Sequence, residues 1–341
     1  QSTWGFLIIT MWSIASPSTP SITALRSFQG RQCTIVASGS AFPAFIPHEV
    51  NKINDPYARD LAARIQRLPV ELNSSGNIIM SSAVKPLTRT ADNPPLLLLH
   101  GFDSSCLEWR YSLPLLEKAG LECWTVDVLG WGFSDLQNLP YCDAASKRDH
   151  LFHLWKTHIN KPVVVVGPSL GAAVAIDFAT NHPHAVESLI LIDASVYTTG
   201  RESQAAWAKM LARAGVSVLR SVPLRYYAIF LAYKELSLSN AHEQVKVGRL
   251  HCLYPWWERA TVDFMMSGGY NVVDQIKKVT QRTCVIWGQD DRIIEKTASA
   301  RLRAELQNSI YFEIPNCGHL PHVEKPSMVV KLIEDFIRER H

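Results

Sequence analysis

The stretch "VVVVGPSLGAAVAIDFA", residues 163–179, decides the fold. Four β-branched residues run into Gly167, Ser169 follows, then Gly171, and helical spacing begins. An unbroken apolar run, rather than an alternating one, reads as a strand buried on both faces. The text from 170 to 181 reads as a helix. Between them sits one small polar side chain bracketed by glycines.

A serine at a strand-to-helix turn, G-x-S-x-G, is the nucleophile-elbow arrangement. The serine must take a strained backbone conformation to lift its hydroxyl above the sheet. The residues two before and two after then crowd each other, so only very small side chains fit. With Gly and Ser each near 7% of residues, the bare pattern occurs by chance in roughly one chain in ten of this length. Its placement between a buried strand and a helix therefore carries the argument. The plainer reading is a glycine-rich turn that lets the helix pack closely. A phosphate loop would need a lysine and a different glycine spacing.

The pattern repeats outward. "DPYARDLAARIQRL" is helical, with Asp55 as cap and Pro56 in the first turn. "LPVELNSSGNIIMSSAVKPL" reads as a hairpin around Asn73–Asn77. Buried strands are expected at 96–100, 122–128, 188–193, 283–288 and 310–314. Helices are expected at 143–158, 297–307 and 327–340, with a short one closed by Gly120. Strands alternating with helices predict an α/β fold, a mostly parallel central sheet flanked by helices. Residues 195–282 break the rhythm. They hold helical patterns and many aromatics (Tyr226, Tyr227, Phe230, Tyr233, Tyr254, Trp256, Trp257, Phe264, Tyr270) but no convincing buried strand. Such an insertion predicts a helical lid over the carboxyl edge of the sheet, where open α/β sheets bind ligands.

A serine nucleophile needs a base, and the base needs an orienting acid. His319 lies just past strand 310–314, after Gly318. His322 is close by and is the alternative base. His182, His184, His242 and His251 read as surface or capping residues. Asp290 and Asp291 follow strand 283–288, and Asp193 ends strand 188–193; each is a candidate acid. An oxyanion hole needs backbone N–H groups aimed where charge develops. Leu170, at the helix start, supplies one, and Phe102 in "HGFDSS" the other.

Together "LLLLHGFDSS", "DVLGWGFSD", "VVGPSLGAAVAIDFA", "LILIDAS", "WGQDDRII" and "CGHLPHVEKP" resemble the α/β-hydrolase superfamily, in its epoxide-hydrolase-like, lid-bearing branch. The resemblance spans roughly residues 90–340, and it is nearest to plant plastid members of unassigned substrate. It implies the α/β-hydrolase fold. It selects Asp291 over Asp290, by the W-G-x-x-D spacing, and His319 over His322. Epoxide hydrolases and haloalkane dehalogenases carry Asp at the elbow, so Ser169 implies ester or related acyl chemistry. The expectation is a serine hydrolase of a carboxylic ester with a hydrophobic chain, acting through an acyl-enzyme and needing no cofactor or metal. Two alternatives remain: a small-molecule, hormone-like receptor or catalytically idle member, and an acyltransferase or C–C bond hydrolase on the same residues.

Composition bounds partners and address. A formal charge of +3 over 341 residues gives no nucleic-acid footprint. No run of about eighteen apolar residues exists to span a membrane. Peripheral membrane contact, if made, is expected through the lid; oligomeric state is not readable. The seven cysteines show no C-x-x-C spacing and read as small buried hydrophobes in a reducing compartment. No acidic residue precedes Glu49, and Ser, Thr, Ala and Pro dominate there. Residues 1–50 are therefore expected to be a transit leader, for a chloroplast, with mitochondrion and secretion as alternatives. The core is expected at 51–194 and 283–341, divided by the insertion at 195–282.

Overall fold

The computed structural model describes residues 42–339, apart from 73–76, 90–92, 139, 199, 201 and 203–204. The strands are β1 (Gln66–Glu71), β2 (Ile78–Val84), β3 (Leu96–Leu98), β4 (Cys123–Val126), β5 (Val163–Pro168), β6 (Val186–Ile192), β7 (Arg282–Gly288) and β8 (Ser309–Ile314). They form one eight-stranded sheet in the order β1-β2-β4-β3-β5-β6-β7-β8. β1 and β2 pair antiparallel and β2 joins β4 antiparallel; β3 to β8 are parallel. The expected hairpin is this β1–β2 pair, although its turn lies outside the described residues.

Among the helices, α1 (Pro56–Arg64), α2 (Leu113–Lys118), α3 (Ala144–His158) and α4 (Leu170–Asn181) precede the insertion. α5 (Ala206–Leu219), α6 (Val222–Ala232), α7 (Leu238–Arg249), α8 (Trp257–Met266) and α9 (Val273–Ile276) lie between β6 and β7. α10 (Lys296–Glu305), α11 (Pro321–Glu324) and α12 (Pro326–Arg338) complete the chain. Asp55 caps α1 by accepting from the N–H groups of Tyr57 and Ala58 at 3.0 and 3.3 Å. The spacing of Val329, Val330, Ile333, Phe336 and Ile337 buries one face of α12.

The unbroken run in β5 is explained by two cores. Val163 and Val165 point into the cluster that holds α4 and much of the insertion, while Val164 and Val166 point into the one that holds α12. All four are fully buried. Each contributes about 1.5–3 kcal/mol by leaving water.

The packed chain starts earlier than composition suggests. Residues 42–50 were expected in the leader, yet Ile46 and Val50 are buried in the second core and the Tyr254 hydroxyl donates to Phe45 O at 2.5 Å. Lack of acidic residues does not prevent packing, and Phe42, Phe45, Ile46 and Val50 supply apolar anchors. The rest of the expected leader lies outside the described residues.

Candidate active site

Chain order and spatial order part company at β3. The chain runs from β3 to β4 on one side and returns to β5 on the other. The loops leaving β3 and β5 therefore diverge from neighbouring strand ends and leave a crevice, the usual ligand position in such sheets. The Leu99 N–H donates to Val166 O at 2.9 Å, keeping the two ends in step.

Ser169 stands at φ 50°, ψ −117°, just before α4. Its N–H donates to Ile192 O at 2.8 Å and its carbonyl accepts from Ser195 N at 3.1 Å. The flanking glycines follow from contact. A Cβ on Gly167 would lie 2.2 Å from Gly171 O, and one on Gly171 would lie 2.8 Å from His100 O. Leu170 opens α4, so its N–H has no partner within the helix.

The loop after β3 passes beside this turn: a Cβ on Gly101 would be 3.6 Å from that of Ser169. His100, fully buried, pins the loop. Its Nε2 accepts from Val128 N at 3.0 Å and its Nδ1 donates to Gly101 O at 2.8 Å. Burial holds its pKa down against the pull of Asp127 and Glu108, in keeping with this neutral tautomer. Phe102 follows, its ring packed edge-on against Trp131.

His319 and Asp291 meet, with Nδ1 donating to Oδ2 at 2.8 Å. The other carboxylate oxygen of Asp291 accepts from the N–H groups of Ile293 and Ile294 at 2.7 and 3.1 Å. Burial pushes the Asp291 carboxyl up, but the charge and hydrogen bond of His319 and these two N–H groups outweigh it, and its pKa is lowered. The His319 N–H donates to Ala232 O at 2.6 Å, and a Cβ on Gly318 would lie 2.3 Å from that oxygen. Gly318 thus admits the end of α6, rather than merely easing a turn.

The other candidates separate. Asp290 faces outward in an ion pair with Lys234 at 2.8 Å. His322 is fully buried and bonds Glu108. Asp193 accepts from Gly288 N at 2.9 Å and is fully buried behind Asp291. Burial, and then the neighbouring Asp291 charge, push its carboxyl well above the usual range. The two carboxyls titrate as a coupled pair.

Ser169 and His319 line one cavity of about 340 Å³. Its wall is mostly apolar: α6 turns Leu224, Tyr227, Ala228, Leu231 and Ala232 toward it. Of the insertion's aromatics, Tyr227 and Tyr233 line it. Trp257, Phe264 and Tyr270 instead pack into the first core. Two residues escaped sequence reading. Glu108 lies on the wall, accepting from Gly101 N at 3.2 and 3.3 Å. His251, read as a surface or capping residue, is buried against Asp103. Neither has a flanking motif that signals this.

Two acidic clusters have the donor types for a metal, but their donors are taken. Asp193, Asp291 and His319 bring ligand atoms within 4.8 Å of one another, and the hydrogen bonds above occupy them. Asp103, His251 and Cys252 do likewise, and there the Arg225 guanidinium already contacts both Asp103 and Cys252.

Residues 96–332 match the alpha/beta hydrolase family. The chain belongs to that family. It is 52% identical over 305 residues to the alpha/beta hydrolase domain-containing protein VTE7 of Arabidopsis thaliana, covering 89% of this chain and 92% of that protein. It is 24% identical over 263 residues to human monoacylglycerol lipase ABHD6, covering 74% of this chain and 78% of that one. Among solved structures, a thermophilic esterase from Thermogutta terrifontis superposes with a TM-score of 0.65 at 22% identity, covering 80% of this chain and 98% of that one. This likeness shows the fold. Family membership makes the chain a hydrolase. Among the described residues no helix is long and apolar enough to cross a membrane.

Proposed function

We propose that this alpha/beta hydrolase is a serine esterase for carboxylic esters with a hydrophobic chain. The observation that supports it best is one apolar cavity lined by both Ser169 and His319, with His319 Nδ1 already committed to Asp291. That hydrogen bond leaves Nε2 as the nitrogen able to take a proton. In this reading Ser169 Oγ attacks the ester carbonyl and His319 Nε2 accepts its proton. Asp291 holds the tautomer and stabilises the imidazolium. The N–H groups of Phe102 and Leu170 hold the oxyanion, each worth about 3–4 kcal/mol. Collapse expels the alcohol with the proton from His319. Water then attacks the acyl-enzyme, giving a proton to the same nitrogen; collapse of this second intermediate returns that proton to Ser169 Oγ and releases the acid.

Relatives named as lipase and esterase agree with this chemistry. The helical insertion acts as the lid, and its aliphatic face on α6 binds the chain of the substrate. Trp207 and Met210, 65% and 67% exposed on α5, fit peripheral contact with a lipid surface. The acid-poor leader, together with the chain's 52% identity over 305 residues to a plant protein, supports a chloroplast address.

The test is a fluorophosphonate probe on the purified full chain, followed by an ester chain-length series. The wild type should be labelled, and Ser169→Ala should lose both labelling and turnover. Equal labelling of the variant would refute the assignment. A saturable ligand without turnover would favour a receptor instead.

A further inference from the structure

The hydrolase reading leaves Asp103 unused, next in sequence to the proposed oxyanion residue Phe102. Asp103 sits at φ 50°, a left-handed conformation that costs a non-glycine residue of order 1 kcal/mol or more. Its carboxylate is buried and receives three side-chain donors. Arg225 of α6 bonds Oδ2. His251 Nε2, from the turn after α7, and Trp257 Nε1, from the start of α8, lie 2.9 and 2.7 Å from Oδ1. All three donors belong to the insertion, whereas Asp103 belongs to the core sheet's crevice loop. Arg225 in turn donates to Leu219 O at 3.0 Å and Gly248 O at 3.4 Å, tying together the ends of α5 and α7.

Three separate stretches of the lid thus converge on one residue of the loop that presents Phe102. We infer that Asp103 is a positioning residue, a latch through which the closed lid holds the oxyanion N–H of Phe102 in place. The inference rests on the serine-hydrolase reading for its catalytic consequence, but not for the latch itself. Nothing else in the chemistry requires a carboxylate here. Asp103 neither faces His319 as Asp291 does nor pairs with solvent-exposed lysines. A buried charge with three aligned donors resists displacement, since removing one partner strands the others. Displacing α6 would withdraw Arg225 and free the loop to relax from its strained turn. The hole would then be formed only while the lid is shut over the substrate.

The experiment uses the full chain with Asp103→Asn, Arg225→Met, Trp257→Phe and the conservative Arg225→Lys. Two readouts are taken: kcat and KM on a soluble short-chain p-nitrophenyl ester, and amide hydrogen exchange in residues 101–106. Asp103→Asn and Arg225→Met should each lower kcat roughly tenfold to a hundredfold with KM within about threefold, less than the 10²–10³ lost when an oxyanion donor is deleted. Arg225→Lys should recover part of that loss. The double variant should be no worse than the poorer single one. Exchange at 101–106 should rise in Arg225→Met, although Arg225 lies 122 residues away in sequence. Trp257→Phe, which keeps an aromatic ring but removes the indole N–H, should fall between and decides the matter if Asp103→Asn does not fold. Wild-type exchange at 101–106 in Arg225→Met, or fully additive kcat losses, would overturn the latch. A wild type that neither turns over esters nor reacts with a fluorophosphonate would overturn the hydrolase reading, while the exchange result would still decide the latch.

Discussion

His322 Nε2 lies 2.8 Å from Glu108 Oε1, whereas His319, three residues earlier, turns its ring to Asp291. Two neighbouring histidines thus hold two different carboxylates. The His322 ring also lies 4.7 Å from that of Trp109, and its carbonyl accepts from Ser112 Oγ at 2.5 Å. One histidine is placed to serve the cavity; the other knits the core beneath it.

Replacing each by alanine should separate these roles. His319→Ala should lower ester turnover by about 10⁴-fold or more, a loss far larger than any it causes in stability. His322→Ala should strand the buried Glu108 charge and cost roughly 3–5 kcal/mol of stability. Turnover and urea denaturation on both variants check this, and equal losses of turnover would remove His319 from its role.

The two buried carboxyls flanking these histidines should respond to pH with opposite sign. Burial raises the Glu108 carboxyl, but the hydrogen bond and charge of His322 overcome this and lower it from 4.5 to about 2. The native state therefore binds fewer protons than the unfolded chain. Its contribution is complete above 4.5 and is lost as pH falls toward 2. The stability gap between wild type and Glu108→Gln should narrow over that window. Asp193 behaves inversely. Its carboxyl is raised, so above 3.8 the native state binds more protons than the unfolded chain and stability falls as pH rises. Asp193→Asn, which cannot titrate, should gain on the wild type as pH rises above 3.8 in thermal melts.

The elbow glycines should differ in tolerance. Gly167→Ala drives a Cβ to 2.2 Å from backbone and should cost about 3 kcal/mol or more. Gly171→Ala, with its nearest atom at 2.8 Å, should cost about 1–3 kcal/mol. Denaturant midpoints rank them, and the reverse order would contradict the crowding described at Ser169.

The α6 face should set chain-length preference. Ala228→Phe fills the cavity beside Tyr227 and Leu231. It should raise KM for a long-chain ester roughly tenfold while leaving a butyrate ester nearly unchanged. Equal effects on both lengths would place the acyl chain elsewhere.

Much of this was legible in the chain because it depends on local physics. Four valines entering a glycine fix a two-face-buried strand; a serine between glycines fixes the turn; Asp55-Pro56 fixes a helix start. The structural elements fall within a few residues of those expectations. Position after β5, β7 and β8 made Ser169, the Asp290–Asp291 pair and the His319–His322 pair candidates, since parallel strands deliver their carboxyl ends to one rim, and the family resemblance picked Asp291 and His319 among them. Glu108, the burial of Asp193 behind Asp291, and the Asp103 cluster were not legible in this way. Their partners lie 214, 95 and 122 residues away, and no periodicity records such a pairing.

The sequence by itself determined the alternation of strands and helices, the strained serine turn and the presence of a helical insertion, because each is set by neighbours along the chain. Tertiary structure alone decided which histidine faces which carboxylate, that the aliphatic residues of α6 rather than most of the insertion's aromatics wall the cavity, and that a lid arginine reaches the loop beside the serine. These depend on how separate elements fill common space, where close packing and the need to satisfy every buried charge leave one arrangement.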